Sequence, residues 1–327
     1  MNETEFLTRW EQEAPLHEAW GRLILETVQD ELSRQLAATG KPDILKIPSA
    51  PRLKEKRSLL DKAFCRGKKY DDPYLEIEDK VGLRFVVLLT DEIDVISSII
   101  REIPLWSVDC PRDYKTDQEK APKVFDYQSV HYILRPAQDI EIGEYRLTRD
   151  IACEVQVRTL LQHAHSELTH DTTYKPKTAA SPMVARYCAR SIALIECVDD
   201  LFLQVAMEIR KAGEPVEKAM AILDKIYRDR VTLEPSIGAV NSLIVDAFKD
   251  MLPENLEDEL RAFLDRTPYL GERIQGHAKT RHLFRQPAAL LVYYLATVKS
   301  QQTQENWPLT PEELQPFYSD LGISMRR

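Results

Sequence analysis

The stretch Cys153-Glu-Val-Gln-Val-Arg-Thr-Leu-Leu-Gln-His-Ala-His-Ser-Glu-Leu-Thr-His170 changes its period part-way along. Up to Arg158, the residues Cys153, Val155 and Val157 alternate with Glu154, Gln156 and Arg158. Strand side chains point to the two faces in turn, so a strand with one apolar and one polar face is predicted here. Glu154, Gln156 and Arg158 then share the polar face. After Thr159 the spacing turns helical. His163 and His165 are two residues apart, about 200° round a helix, and cannot share one metal. His163, Glu167 and His170 do share a helical face, which would suit zinc; histidines satisfied by hydrogen bonds give the same pattern.

Working outward, Val81-Gly-Leu-Arg-Phe-Val-Val-Leu-Leu89 reads as a second buried strand. Thr90-Asp-Glu starts a helix whose Ile93, Ile96, Ile99 and Ile100 form one face. Strands are expected at about 127–134 and 145–158, and a helix at about 51–66. Residues 112–126 are polar and aperiodic, which predicts a loop, and loops of that length within a domain are often functional. Residues 5–38 carry helical periodicity through Trp10, Trp20, Ile24, Val28 and Leu32, ending at Gly40-Lys-Pro. Beyond Pro176 strand signals stop. A long helix is predicted over 183–211, with Ile192, Ile195, Val198, Phe202 and Val205 on one side. The expected fold class is therefore α+β: a mixed β-sheet domain flanked by helices, followed by an all-helical C-terminal region. Its divisions are an N-terminal helical segment at 1–44, the sheet domain at 45–176 and a helical extension at 177–327.

The chain has 327 residues, 43% of them hydrophobic and 30% charged, and reads as a globular protein. The acidic N-terminus has no apolar signal region. The nearly apolar run Pro287–Val298 is too short for a bilayer, which needs about 20 residues, and is expected to be a buried helix. Five dispersed cysteines without a Cys-x-x-Cys pair argue for reduced thiols in a cytoplasm. Net charge is −9, yet residues 41–69 hold ten Lys or Arg against three acids. That reversal marks either a polyanion-binding segment or a solvated helix face.

Two further features carry candidate chemistry. Asp79 stands at the mouth of the Val81 strand and Glu154 on its neighbour. Carboxylates presented together supply the hard oxygen ligands that Mg²⁺ takes alongside substrate phosphates; a surface cap would use the same residues. Tyr127, Ser129 and His131 alternate along a strand, either to stack a base and hold phosphate or as a half-buried sheet face.

Together these segments resemble the synthetase domain of RelA/SpoT-type alarmone synthetases, a nucleotidyltransferase-like fold. The resemblance runs in family order through Arg52-Leu-Lys54-Glu-Lys-Arg-Ser58-Leu-Leu-Asp-Lys62, Asp79-Lys-Val-Gly-Leu-Arg84, Asp113-Tyr114, Pro122-Lys123, Tyr127-Gln-Ser129-Val-His131, Glu154-Val-Gln156-Val-Arg158 and His170 with Tyr174-Lys175. It implies transfer of the β,γ-diphosphate of ATP to the 3′-hydroxyl of GDP or GTP. By resemblance, Arg52 and Arg84 sandwich adenine, and Lys54, Ser58 and Lys62 hold the ATP phosphates. Asp79 and Glu154 are the catalytic pair and the Mg²⁺ ligands, Glu154 also activating the acceptor hydroxyl. Tyr127 stacks on the acceptor base, and Lys123, Ser129, His131, Gln156, Arg158 and His163 contact the acceptor.

The chain departs from the family at Asp126, where Gly is usual, and at His165, where Trp is common. These departures bear on the acceptor, so an alternative is a toxic relative that modifies adenine nucleotides or the 3′ end of tRNA. A third is an inactive nucleotide-binding regulator, against which Asp79 and Glu154 both speak. About 45 residues precede the match, too few for the hydrolase domain of the long enzymes, so the small synthetase-only branch is expected. The C-terminal helices are assigned to packing, to homo-oligomer formation or to a protein partner, and no membrane partner is expected.

Overall fold

The computed structural model describes residues 1–39, 42–126, 128–143, 145–169 and 181–325. Helix α1 (Glu3–Thr39) leads into a short strand β1 (Arg52–Leu53), helix α2 (Lys56–Leu60) with a π turn over Asp61–Cys65, and helix α3 (Pro73–Glu76). Then follow β2 (Val81–Val87), α4 (Thr90–Glu102), β3 (Trp106–Asp113), α5 (Tyr114–Lys120) and β4 (Val130–Pro136). A hairpin of β5 (Ile140–Ile142) and β6 (Tyr145–Leu147) precedes β7 (Cys153–Thr159) and α6 (Leu160–Thr169).

The main sheet has the order β1-β2-β7-β4-β3, with β2 and β7 parallel and every other pair antiparallel. The mixed sheet is the expected one. Its apolar face follows from period two: Val81, Leu83, Phe85 and Val87 lie beside Cys153, Val155 and Val157, with Val130, Tyr132 and Leu134 beyond, all buried. Helices α1 and α4 cover that face through Trp20, Ile24, Val28, Ile93, Ile96 and Ile100. Trp20 also donates its Nε1 hydrogen to the Leu134 carbonyl at 3.1 Å. Gly21 is required here, because a Cβ would meet Pro51 Cβ at 2.9 Å.

Several local expectations change. Residues 51–66 are not one helix: Arg52 and Leu53 pair with Gly82 and Val81, Lys54 N donates to Lys80 O at 2.9 Å, and helix begins only at Lys56. Edge pairing overrides the helical propensity of this charged run. Residues 112–126 are not wholly loop. The Asp113 side chain accepts from Lys115 N and caps α5, whose Tyr114 is buried. Strand β3 was not expected: it is an edge strand whose pairing slips between Asp109 and Arg112, around Pro111, and an edge is where a sheet tolerates proline. The single strand over 145–158 is two, β6 and β7.

The chain divides into two compact units, Met1–Val205 and Ala206–Arg327. Helix α7 (Pro182–Val231) contributes to both and is longer than predicted. Its Ile192 is buried, but Phe202 and Val205 are exposed, and the buried line runs instead through Ile192 and Asp199, seven residues and two turns apart. The second unit is helical: α8 (Ala239–Ala247), α9 (Leu256–Arg266), α10 (Leu270–His277), α11 (Ala288–Val298), α12 (Ser300–Glu305) and α13 (Pro311–Leu321). Residues 288–296 of α11 are all buried, as the apolar run predicted. Among the described residues, no helix is long and apolar enough to cross a membrane.

Candidate active site

The polar sheet face is laid out by strand register. Across the strands, Arg84 on β2 stands opposite Gln156 on β7, Gln156 opposite His131 on β4, and His131 opposite Arg112 on β3. One row nearer the start of β7, Arg52 faces Gly82, and Gly82 faces Glu154. Residues directly opposite share a face, so Arg52, Arg84, Glu154, Gln156 and His131 line one polar surface. Because β2 and β7 run parallel, Asp79 and Glu154 lie at the same end of adjoining strands.

Asp79 is clamped by two ammonium groups. Lys54 ion-pairs with its Oδ2, and Lys62 Nζ lies 2.8 Å from its Oδ1. Burial pushes the Asp79 carboxyl up, but the Lys54 and Lys62 charges outweigh it and hold the group below the ordinary carboxylate range. Lys54 lies before α2 and Lys62 in the π turn, so both reach Asp79 from different elements rather than from adjoining turns of one helix. Ser58 is half-buried on α2.

Glu154 is held at both oxygens. His131 Nδ1 lies 3.1 Å from Oε1, and Gln156 Nε2 donates to Oε2 at 3.0 Å. Gln156 accepts in turn from the buried Arg158 guanidinium. Burial raises the Glu154 carboxyl, yet the hydrogen bond and charge of His131 bring it net below the ordinary range, against the opposing charge of Asp79. The mutual influence places Asp79, Lys54 and Glu154 in one electrostatic neighbourhood.

Over the far end of this face, Arg84 Nη1 pairs with Glu167 Oε1 on α6 at 2.7 Å. The His163 imidazole lies below its usual range, first through burial and then through the Arg158 charge. Ser129 is fully buried with its Oγ 3.4 Å from the Val157 and Val130 carbonyls, so it is engaged by the strands rather than facing open space. Lys123 is exposed in the segment after α5. Tyr127, and His170 of the candidate His163-Glu167-His170 face, lie outside the described residues. Among the described residues, no three His, Cys, Asp or Glu are gathered to hold a metal.

Glu167, expected only as part of a zinc-type face, joins the site as the partner of Arg84, and Arg112 joins it without having been singled out. Arg112 lies between Asp117 at 3.5 Å and Asp126 at 3.9 Å, and its place opposite His131 was hidden because β3 was not legible.

Residues 51–179 match the family model described as the region found in RelA/SpoT proteins. Of the motif residues within this region, Arg52, Arg84, His131, Glu154 and Gln156 share the polar face just described, with Asp79 at its mouth. No curated protein matches the chain. Among solved structures, the small alarmone synthetase 1 from Bacillus subtilis is similar, with a TM-score of 0.51 at 17% identity over 62% of this chain and 98% of that one. A GTP pyrophosphokinase family protein from Streptococcus pneumoniae gives a TM-score of 0.51 at 21% identity, over 62% and 96%. At these identities the likeness is one of fold.

Proposed function

We propose that the RelA/SpoT-like region is an alarmone synthetase that transfers the β,γ-diphosphate of ATP to the 3′-hydroxyl of GDP or GTP. The observation that carries this reading is the pair Asp79 and Glu154 at the mouths of parallel strands, each ionised by its surroundings and one flanked by two lysines. The Bacillus neighbour has also been solved bound to its product pppGpp, which supports a guanosine acceptor for this chain.

In this scheme the acceptor 3′-oxygen attacks the β-phosphorus of ATP. The bond from that phosphorus to the α–β bridging oxygen breaks, and AMP leaves. Glu154, ionised and fixed by His131 and Gln156, takes the hydroxyl proton. Lys54 and Lys62 turn from Asp79 to the triphosphate, with Ser58 beside them. Arg52 and Arg84 share the face and offer guanidinium planes to the adenine. Two carboxylate donors suit Mg²⁺, which takes one or two protein carboxylates and completes its shell with phosphate and water. Asp79 and Glu154 would hold it, and it would neutralise phosphate charge as the transfer proceeds. Lys123, Tyr127, His131, Gln156, Arg158 and His163 serve the acceptor side, Ser129 acting there from within the strands.

A second reading changes only the acceptor, to an adenine nucleotide or the 3′ end of tRNA. Asp126 favours it: this carboxylate is 77% exposed next to Tyr127 and would repel an acceptor phosphate. Labelled ATP offered with GDP, GTP, ADP or tRNA separates the two. Diphosphorylated guanosine with AMP is expected. Transfer only to ADP or tRNA selects the second reading, and no transfer to any acceptor contradicts both.

A further inference from the structure

Beyond the strand ends, where Thr159 closes β7, lies a cavity of about 290 Å³ whose lining falls entirely within the first unit. Among the described residues its wall carries the acids Asp91, Asp94, Glu196, Asp199 and Asp200 and one cation, Lys115, which is bound to Asp94 at 2.7 Å. The decisive group is Asp199. It is only 2% exposed, its Oδ2 accepts from Thr159 Oγ1 at 2.8 Å, and its Oδ1 has no hydrogen-bond partner among the described residues. A buried carboxylate oxygen left unpaired costs stability unless something supplies a donor. Burial pushes the Asp199 carboxyl up to about 6 despite the Thr159 bond, and the Asp200 charge adds to the rise.

The surrounding polar groups are already committed. Gln118 and Gln128 both donate to Glu196 Oε2, at 3.0 and 2.8 Å, and Gln162 donates to Gln128 at 3.3 Å. The amides therefore hold Glu196, as Lys115 holds Asp94, and Asp199 and Asp200 are the carboxylates that meet the occupant. Its chemistry follows from two facts. The lining is strongly negative, and among the described residues no three acids are gathered to hold one metal ion. Spaced carboxylates fit a cation whose charges are also spaced. The volume is at the low end for ligand pockets, which suits a chain of roughly ten heavy atoms and not a protein segment.

We propose that this pocket binds a small organic polycation, a diamine or polyamine, with one ammonium on Asp199 and another toward the carboxylates at the rim. Because Thr159 ends the strand that carries Glu154, occupancy also braces the end of β7. This site stands independently of the reaction proposed above.

The test is calorimetric titration of the full chain with spermidine and putrescine, against magnesium chloride and sodium chloride at matched ionic strength. Saturable binding of one polyamine per chain is expected, weakened about tenfold by Asp199→Asn and by Asp200→Asn, the loss of one charge-assisted hydrogen bond. Asp200 is exposed, so that variant carries the test should Asp199→Asn fail to fold. Absence of saturable binding, undiminished binding in the variants, or equal binding of magnesium lost in the same variants would overturn the proposal.

Discussion

The polar face of the sheet and the pocket beyond the strand ends each gather carboxylates, and they treat them in opposite ways. On the polar face, Asp79 and Glu154 are half-buried yet lie below the ordinary carboxylate range, because Lys54, Lys62 and His131 supply positive charge or hydrogen bonds. In the pocket, Asp199 has only a hydroxyl from Thr159, at the end of β7, and is pushed up. Burial acts in the same direction on all three, so countercharge decides the difference. A face supplied with cations is ready to exchange them for metal and phosphate. A pocket whose lysine, Lys115, is already bound to Asp94 has room for a further cation.

The largest effect that sharpens this contrast is expected at Glu154. Glu154→Gln keeps the shape and removes the charge, and should lower transfer by about 1000-fold, while ATP affinity measured at equilibrium stays within about threefold. Full turnover in that variant would break the role assigned to it. Next come the clamping lysines. Lys54→Met or Lys62→Met should raise KM for ATP by roughly 10- to 100-fold, the range expected for losing a charge-assisted phosphate contact. An unchanged KM in both would mean that they serve only to neutralise Asp79.

The acid limb of stability gives a third, smaller test. Asp79 and Glu154 have folded values below their ordinary 3.8 and 4.5. Their contribution is therefore present above those values and is lost as pH falls through the lower folded ones. Chemical denaturation from pH 6 down to pH 2 should show stability falling, with a shallower slope in Glu154→Gln. Asp199 has the reverse sign. Its folded value of about 6 exceeds the ordinary 3.8, so its penalty appears as pH rises between them and is complete above. Asp199→Asn should stabilise the protein at pH 7.5, by on the order of 1–2 kcal/mol, and lose that advantage below pH 4. A variant less stable than wild type at pH 7.5 would contradict the comparison.

Much of the polar face was legible because strand periodicity is local. The alternation of Glu154, Gln156 and Arg158 against Val155 and Val157 predicted a shared face, and the chain Arg158 to Gln156 to Glu154 occupies it. What was hidden depends on contacts distant in sequence. Arg52 reads as helical until it is seen paired with Gly82, and β3 is masked by Pro111 and by its polar edge. Lys54 and Lys62 look like two basic residues on a helix, although their common partner lies near β2. The Asp199 pocket had no local signal at all, since its wall joins α4, α5, α6 and α7. Phe202 and Val205 even pointed the eye to the wrong side of α7.

The central claim is that Asp79 and Glu154 serve a diphosphate transfer, and the fate of the phosphates tests it most directly. ATP labelled at the β-phosphorus should pass its label to the 3′ position of a guanosine nucleotide with AMP as co-product, and Glu154→Gln should abolish both signals. Release of ADP with the β-label retained on it, or an undiminished signal in Glu154→Gln, would contradict the account.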